Sequence, residues 1–278
     1  MVEPFFAVTD EGLVPHPDAR GPWAVDMLHG RLLAGLAAWA TERDHGDAEL
    51  QPARLTVDMY RSPAMAPTTV TTELVRSGGR VRVVDVIIEQ RGVRVARASA
   101  LFLRRADPPP VDDASVTPRW DAPAPDDMGP TFMPNDVPFD VRSVEGEGFG
   151  APGGGTRRVW LRDHRPLIPG YALTPFVRAA LASDFASPLA NMSTEGLAYI
   201  NADVTLHLAR LPVGEWLGLS TGHRVVADGV AIAECPLHDA QGPIGASSVS
   251  AVLTPRMPAG PPSAVEAAAA AGSEEMAT

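Results

Sequence analysis

The sequence contains no lysine, because all 23 of its basic residues are arginine. This absence excludes chemistry that needs a lysine, such as a Schiff base with a substrate or a P-loop contact with a phosphate. The single cysteine, Cys235, excludes an internal disulfide and a CxxC pair. No apolar run approaches the about 20 residues of a membrane span, and the N-terminus lacks the basic start of a signal peptide. These absences predict a cytoplasmic protein without a membrane span.

Sequence signatures of metal binding and covalent catalysis are also absent. The seven histidines show neither HxH nor HxxxH spacing, so we expect no metal site. The chain has no GxSxG, the motif that carries the nucleophile of α/β-hydrolases. The glycine-rich GAPGGGT at 150–156 is not followed by Gly-Lys-Ser or Gly-Lys-Thr, and it predicts a turn between strands rather than a phosphate loop. We therefore expect no cofactor.

Acidic residues outnumber basic ones by 34 to 23, which gives a formal net charge of −11 and an isoelectric point near 5.0. This charge argues against nucleic acid and against an anionic membrane surface as partners. With 278 residues, of which 45% are apolar, the chain is long enough for one large globular domain or two of ordinary size.

A segment rich in proline and aspartate divides the chain at 107–138. It holds nine prolines and seven aspartates, and proline can continue neither a helix nor an inner strand. We interpret it as an extended connector between two folded units, at 1–106 and 139–256. The residues from 257 to 278 are low in bulky side chains and predict a flexible tail.

The two halves show the same order of predicted elements, a helix followed by an antiparallel meander. In the first half, the patterns predict a helix at 28–43 and strands at 53–61, 68–78, 80–90 and 93–103. In the second half, they predict a strand at 156–163, a helix at 174–185, and strands at 199–210, 215–225, 229–239 and 243–253. Thr174 is expected to cap the second helix, with Pro175 at its first position.

Matched residues recur at a constant offset in the two halves. The pairs, each 149 residues apart, are Thr56 and Thr205, Arg61 and Arg210, and Pro63 and Pro212. The recurrence predicts two copies of one unit in which a sheet wraps a helix, while two unrelated α+β domains are the alternative. We expect the two arginines to pair with local carboxylates rather than to bind a coenzyme.

Several segments resemble, in order and spacing, the TesB-type acyl-CoA thioesterases. The second half carries ASDF (182–185), YINADVTLHLARLPVGEW (199–216) and DAQGPIGASSVSAVL (239–253), and the first half carries ARLTVDMYRSPA and GGRVRVVDVIIEQRGVRVARASALF. The resemblance implies an α+β double hotdog fold, in which two tandem units each wrap a long helix in an antiparallel sheet. It also implies an enzyme that hydrolyses acyl-CoA or a related acyl thioester by direct attack of water. We further expect a homodimer or a larger homo-oligomer.

The resemblance also implies a catalytic set of an aspartate on the second helix, a threonine on the next strand and a glutamine on the last strand. These positions fall on Asp184, Asn201 and Ser250. Asn201 can still donate and accept hydrogen bonds and so orient a water, whereas Ser250 is shorter than glutamine. Asp184 is flanked by Phe185 and alanines, and partial burial there would raise the pKa of its carboxyl.

For substrate binding, the resemblance implies backbone N–H groups at the start of the first helix, near His29 and Gly30, that stabilise an oxyanion. Simpler interpretations stay open, because His29 at a helix start is also a suitable cap and Asp184 a suitable acceptor for loop N–H groups. The alternative functions are a non-catalytic acyl-thioester binder, another hotdog activity such as hydration of an enoyl thioester, and a purely structural partner protein. The departures at Asn201 and Ser250 favour the non-catalytic binder among these.

Overall fold

The computed structural model of the protein describes residues 2–107, 120–129, 137–145, 156–193 and 195–257. The predicted turn at 150–156 and the predicted tail lie almost entirely outside these ranges, as does much of the connector. Within them, no helix combines the length and the hydropathy that crossing a bilayer requires.

In its described residues, the first half has one long helix and six strands. The strands are β1 (Phe6–Thr9), β2 (Gly12–Pro15), β3 (Leu50–Met59), β4 (Thr68–Ser77), β5 (Val81–Gln90) and β6 (Val93–Arg104). The helix α1 (Arg31–His45) lies between β2 and β3, and a single 3-10 turn at Pro17–Ala19 precedes it. The helix and β3–β6 match the predicted elements, whereas β1 and β2 were not predicted.

In the second half, two consecutive helices follow a pair of strands. The strands are β7 (Phe139–Glu145), β8 (Arg158–Asp163), β9 (Met192–Ser193), β10 (Gly196–Asn201), β11 (Asp203–Leu208), β12 (Leu217–Ser220), β13 (Arg224–Ala227), β14 (Val230–Asp239) and β15 (Gly242–Met257). The helices are α2 (Pro175–Ser183) and α3 (Ala186–Asn191), and a 3-10 turn at Pro125–Asp127 lies before β7. The predicted strands at 199–210 and 215–225 are each divided in two.

The first helix begins three residues later than predicted, because the residues before it have other backbone partners. The Leu28 N–H donates to Pro63 O at 2.8 Å, and the His29 N–H donates to Ala19 O at 2.9 Å. These bonds tie the segment before α1 to two loops. The start of the second helix is as predicted, since the Thr174 hydroxyl accepts from the Val177 N–H at 3.2 Å and Pro175 takes the first position.

The two long helices pack against each other through a glycine. A Cβ at Gly35 in α1 would lie 2.6 Å from Leu181 Cδ2 in α2, so only glycine allows this approach without a shift of the leucine. The contact joins the halves into one core, which includes Leu36 of α1, Val57 of β3 and Val204 of β11.

The described strands form one antiparallel sheet whose order repeats on either side of its centre. The main path runs β1-β2-β4-β5-β6-β3-β11-β15-β14-β12-β8-β7, with β10 also on β15 and β13 also on β14. The central pair is β3 and β11, where Thr56 lies opposite Thr205 and the two hydroxyls are 3.2 Å apart. Residues matched by the sequence repeat therefore meet at the boundary between the halves.

Two further sequence features can be placed in the fold. Arg210 is confirmed to pair with a local carboxylate, because its guanidinium donates to both oxygens of Asp239 at 2.6 and 2.7 Å. For Arg61, no carboxylate lies within ion-pair distance among the residues that the structure describes. The described part of the connector is anchored rather than free, since Trp120 stacks on His238 and meets Trp160 edge-on.

The close approach of β11 and β15 predicts a strong effect of one substitution. A Cβ at Gly245 would lie 1.9 Å from the carbonyl oxygen of His207. We expect Gly245→Ala to lower the free energy of unfolding by about 3 kcal/mol, as overpacking against backbone does. Gly79→Ala, where nothing lies within 4 Å of the new methyl, is the control and should change it by about 0.5 kcal/mol at most. Urea denaturation measures both, and equal stability of the two variants would contradict the packing.

Candidate active site

The junction between α2 and α3 holds Asp184. The residue follows α2 directly, and its carbonyl accepts from the Ser187 N–H of α3 at 3.2 Å. At this position the negative end of one helix meets the positive end of the next, so the two dipoles oppose each other. The residue is only 7% exposed, and its burial raises the pKa of the carboxyl above that of an ordinary aspartate.

A hydrogen bond from the sheet holds this carboxylate. Asn201, the last residue of β10, donates from Nδ2 to Asp184 Oδ1 at 2.8 Å and to the carbonyl of Asp203 at 3.3 Å. The bond to Asn201 favours the charged carboxylate and lowers the pKa of Asp184, as does the nearby charge of Arg31, but burial is the larger effect. The hydrogen bond therefore orients the carboxyl group without forming an ion pair with it.

An extra residue in the strand turns Asn201 toward the helices. On β15, Asn201 lies opposite Ala251 whereas Thr205 lies opposite Ser248, so the register shifts by one residue between β10 and β11. The residue that accounts for the shift is Ala202, which belongs to neither strand. Such a bulge re-aims the side chains next to it.

The histidine before α1 lies on the other side of the carboxylate. His29 Nδ1 is 3.9 Å from Asp184 Oδ2, and it accepts a 3.4 Å hydrogen bond from the Arg31 N–H. Burial, with the charge of Arg31 as a smaller cause, lowers the pKa of His29 to about 3. The imidazole is therefore neutral at pH 7, and it caps the first turn of α1 instead of forming an ion pair with Asp184.

Gly30 places an open stretch of backbone against the acid. A Cβ built on Gly30 would lie 3.8 Å from Asp184 Oδ2 and 3.6 Å from Met59 Sδ, with no closer contact. Among the described residues, the Gly30 N–H has no acceptor. The N–H is at the N-terminal end of α1, where backbone donors are free and the dipole is positive.

A buried ion pair supports the site, and the sequence interpretation did not identify it. Arg31, the first residue of α1, is 1% exposed and pairs with Asp163 at the end of β8. Its guanidinium also lies over the rings of Phe139 and Phe185. The signal that could have revealed it is a lone arginine at the start of an otherwise apolar helical stripe, which must be paired when buried.

Ser247 and Ser250 of β15 lie on opposite faces of the sheet. Ser247 donates from its hydroxyl to the Ser183 carbonyl at 2.8 Å, which fixes the end of α2 one residue before Asp184. Ser250 lies between two core residues, Val249 and Ala251, so its side chain points to the opposite face of the sheet. Its N–H donates to Asp203 Oδ1 at 2.5 Å.

The structure thus brings four of the five predicted site residues together. Asp184 and Asn201 come from the second half, and His29 and Gly30 come from the first, so the cluster lies where the halves meet. Ser250 makes no hydrogen bond to Asp184 or Asn201 among the described residues, and its catalytic role stays a prediction. The arrangement places Asp184 Oδ2 beside the backbone of Gly30, whose N–H has no acceptor among the described residues.

The raised pKa predicts that Asp184 lowers the stability of the fold at neutral pH. The folded state binds this proton more tightly than the unfolded state, so stability is lost as the pH rises through the raised pKa. Asp184→Asn keeps an acceptor for Asn201 and removes the buried charge. We expect it to raise the free energy of unfolding at pH 7 by about 0.5–2 kcal/mol, with a smaller gain at acidic pH.

Denaturation at a series of pH values checks this expectation. Asp10→Asn, at an exposed aspartate in the turn between β1 and β2, is the matched control and should change stability little. A lower stability of Asp184→Asn at pH 7, or a gain that does not vary with pH, would contradict the assigned burial of the charge.

Solved structures from three bacteria resemble this chain. Acyl-CoA thioesterase II TesB2 from Mycobacterium marinum is 22% identical, with a TM-score of 0.59 over 81% of this chain and 90% of that chain. A tesB protein of Mycobacterium avium subs paratuberculosis is 16% identical, with a TM-score of 0.62 over 82% and 88%. A conserved protein with a hot dog fold from Alicyclobacillus acidocaldarius is 17% identical, with a TM-score of 0.67 over 87% and 91%. These likenesses show that the chain has a hotdog fold.

Family models cover most of the sequence. The acyl-CoA thioesterase N-terminal domain matches residues 19–103, and the acyl-CoA thioesterase C-terminal domain matches residues 106–253. A search of curated proteins finds no significant match. Because the two domain models occur in their family order, the chain belongs to the TesB-type acyl-CoA thioesterases.

Proposed function

We propose that the protein hydrolyses an acyl-CoA, or a related acyl thioester, by direct attack of water. The observation that carries the proposal is the contact between halves, in which the buried Asp184 carboxylate is held by Asn201 and lies beside the backbone of Gly30. In this proposal the two halves are tandem hotdog units, at 1–106 and 139–256, joined by the connector at 107–138. The family to which the chain belongs supports the substrate class.

In the first step, Asp184 is the general base. Its Oδ2 accepts a proton from a water as the water oxygen bonds to the thioester carbonyl carbon. The raised pKa supports this role, because a carboxylate that is partly removed from water is a stronger base at neutral pH. Asn201 keeps Oδ1 occupied and offers its own amide oxygen to orient the water.

The carbonyl oxygen becomes an oxyanion and needs a donor. The Gly30 N–H is free and lies at the positive end of α1, so it can donate to that oxygen. The tetrahedral intermediate then collapses, the C–S bond breaks, and the thiolate receives the proton from Asp184. The products are a carboxylic acid and the free thiol, and Asp184 returns to its charged form.

The proposal also covers the roles of His29 and Ser250, the position of the acyl chain, and the location and assembly of the enzyme. His29 caps α1 and borders the substrate on the side of the acid, while Ser250, whose side chain lies on the other face of the sheet, is given no part in the proposed step. The acyl chain lies between the two halves, beside Met59. The enzyme acts in the cytoplasm as a homodimer or a larger homo-oligomer.

Loss of the base should stop turnover without unfolding the protein. We expect Asp184→Asn to lower kcat by about 10²–10⁴-fold, the usual contribution of a positioned general base. The assay is a panel of acyl-CoAs of different chain length and branching, with the released thiol detected by a chromogenic disulfide. Ser250→Ala in the same panel shows whether that hydroxyl contributes.

The same panel separates the alternative functions. Saturable binding of acyl-CoA without release of thiol would support a non-catalytic binder. Loss of the conjugated-thioester absorbance of an enoyl-CoA would support a hydratase. Turnover that persists unchanged in Asp184→Asn would contradict the assigned base.

A methyl group at Gly30 tests whether the thioester carbonyl of the substrate binds beside this residue. Every contact of that methyl would be at ordinary van der Waals distance, so Gly30→Ala should fold normally. It would, however, fill space between the Gly30 backbone and Asp184 Oδ2. We expect kcat/KM to fall by about 10-fold or more, as loss of an oxyanion contact does. Unchanged kcat/KM in a folded Gly30→Ala protein would place the substrate elsewhere.

A further inference from the structure

A cleft of about 370 Å³ opens at the C-terminal end of α3, away from the residues assigned to catalysis. Its walls come from the end of α3, the start of β8, and the turn between β12 and β13. Its polar lining includes Arg157, Asn191, Thr221, His223 and Arg224.

Two arginines of the cleft form hydrogen bonds but no ion pair with any described residue. Arg157 donates from Nη1 to the carbonyl of Leu189 at 2.9 Å, and Arg224 donates from Nε to Asn191 Oδ1 at 2.9 Å. Neither has a carboxylate within ion-pair distance among the described residues, whereas most other described arginines do.

The two positive charges repel each other in a partly dehydrated setting. Burial lowers the pKa of Arg157, and the charge of Arg224 lowers it further. An anion bound between the two guanidinium groups would offset both effects, because charge-assisted hydrogen bonds to guanidinium are among the strongest in proteins.

A buried amide adds an independent sign of a missing ligand. Asn191 is only 5% exposed, and its Oδ1 is already used by Arg224. Its Nδ2 has no hydrogen-bond partner among the residues that the structure describes. A buried donor without an acceptor lowers stability, and a ligand oxygen in the cleft would relieve that loss.

Two further side chains, Thr221 and His223, add hydrogen-bond donors to the cleft. The Thr221 hydroxyl accepts from the Arg157 N–H at 2.9 Å, which leaves its own proton available for the cleft. His223 adds a ring N–H. Two guanidinium groups, an amide and a hydroxyl offer more donors than the two oxygens of a carboxylate can use, but they suit the three terminal oxygens of a phosphate.

We propose that this cleft binds a phosphate group, either as a free ion or as a phosphomonoester on a larger ligand. Arg157 and Arg224 provide the charge, and Asn191 Nδ2 and Thr221 Oγ1 provide further hydrogen bonds. The cleft is a site in its own right, and it does not require that the protein be a hydrolase.

The test is a titration with inorganic phosphate, followed by the NMR signals of the arginine Nε–H groups and of the His223 ring. We expect saturable shifts in the wild type and at least about 10-fold weaker binding in Arg224→Gln, since one charge-assisted contact is worth that factor. Arg157→Gln should weaken phosphate binding to a similar extent. If loss of the contact with Leu189 unfolds Arg157→Gln, the Arg224→Gln variant still tests the proposal. Arg94→Gln, in the first half and 65% exposed, changes the net charge equally and should bind as the wild type does.

A comparison of coenzyme A with dephospho-coenzyme A, which lacks the 3′-phosphate, distinguishes the two sources of the phosphate group. Only this comparison rests on the proposed function. Tighter binding of coenzyme A, lost in Arg224→Gln, would assign the cleft to the 3′-phosphate of the carrier. Equal binding of both coenzymes, together with weaker binding of inorganic phosphate in Arg224→Gln, would assign the cleft to a free phosphate. If neither phosphate nor coenzyme A depends on Arg224, the proposal is overturned, whether or not the protein hydrolyses thioesters.

Discussion

The antiparallel pairing of β3 with β11 is the contact on which the rest of the structure depends. It joins the sheets of the two halves at Thr56 and Thr205, and it continues beyond the strands where the Met59 N–H donates to the carbonyl of Ala202 at 2.8 Å. Through that last bond, the bulge at Ala202 is attached to the first half. The pairing therefore sets both the relative position of the helices and the direction of Asn201.

The candidate site follows from this junction and from the balance of charges around it. Burial of Asp184 opposes its ionisation, while the hydrogen bond from Asn201 and the more distant charge of Arg31 favour it. Arg31 is itself paired with Asp163, so it acts on Asp184 only at a distance and forms no ion pair with it. Under the proposed function, the burial that lowers stability also makes the carboxylate a stronger base, as in other sites where activity requires a destabilised group.

Much of the fold could be predicted from the sequence, because periodicity and caps are local signals. The helical period of α1, the Thr174-Pro175 start of α2 and the alternation of β3–β6 each have such a signal. The bulge at Ala202 has none, since one alanine extends a strand as well as it interrupts one. Asp184 and Asn201 could be assigned only through resemblance, and the direction of Ser250 depends on which strand face packs on the helices, a property of the tertiary fold.

The most direct test is a structure with a hydrolysis-resistant acyl-CoA analogue in which CH₂ replaces the thioester sulfur. We expect a ketone oxygen about 2.7–3.1 Å from the Gly30 N–H, with Asp184 Oδ2 separated from the ketone carbon by the width of one water. An analogue whose ketone lies away from the junction of the two halves, with Asp184 contacting only protein, would contradict the proposed hydrolysis at this site.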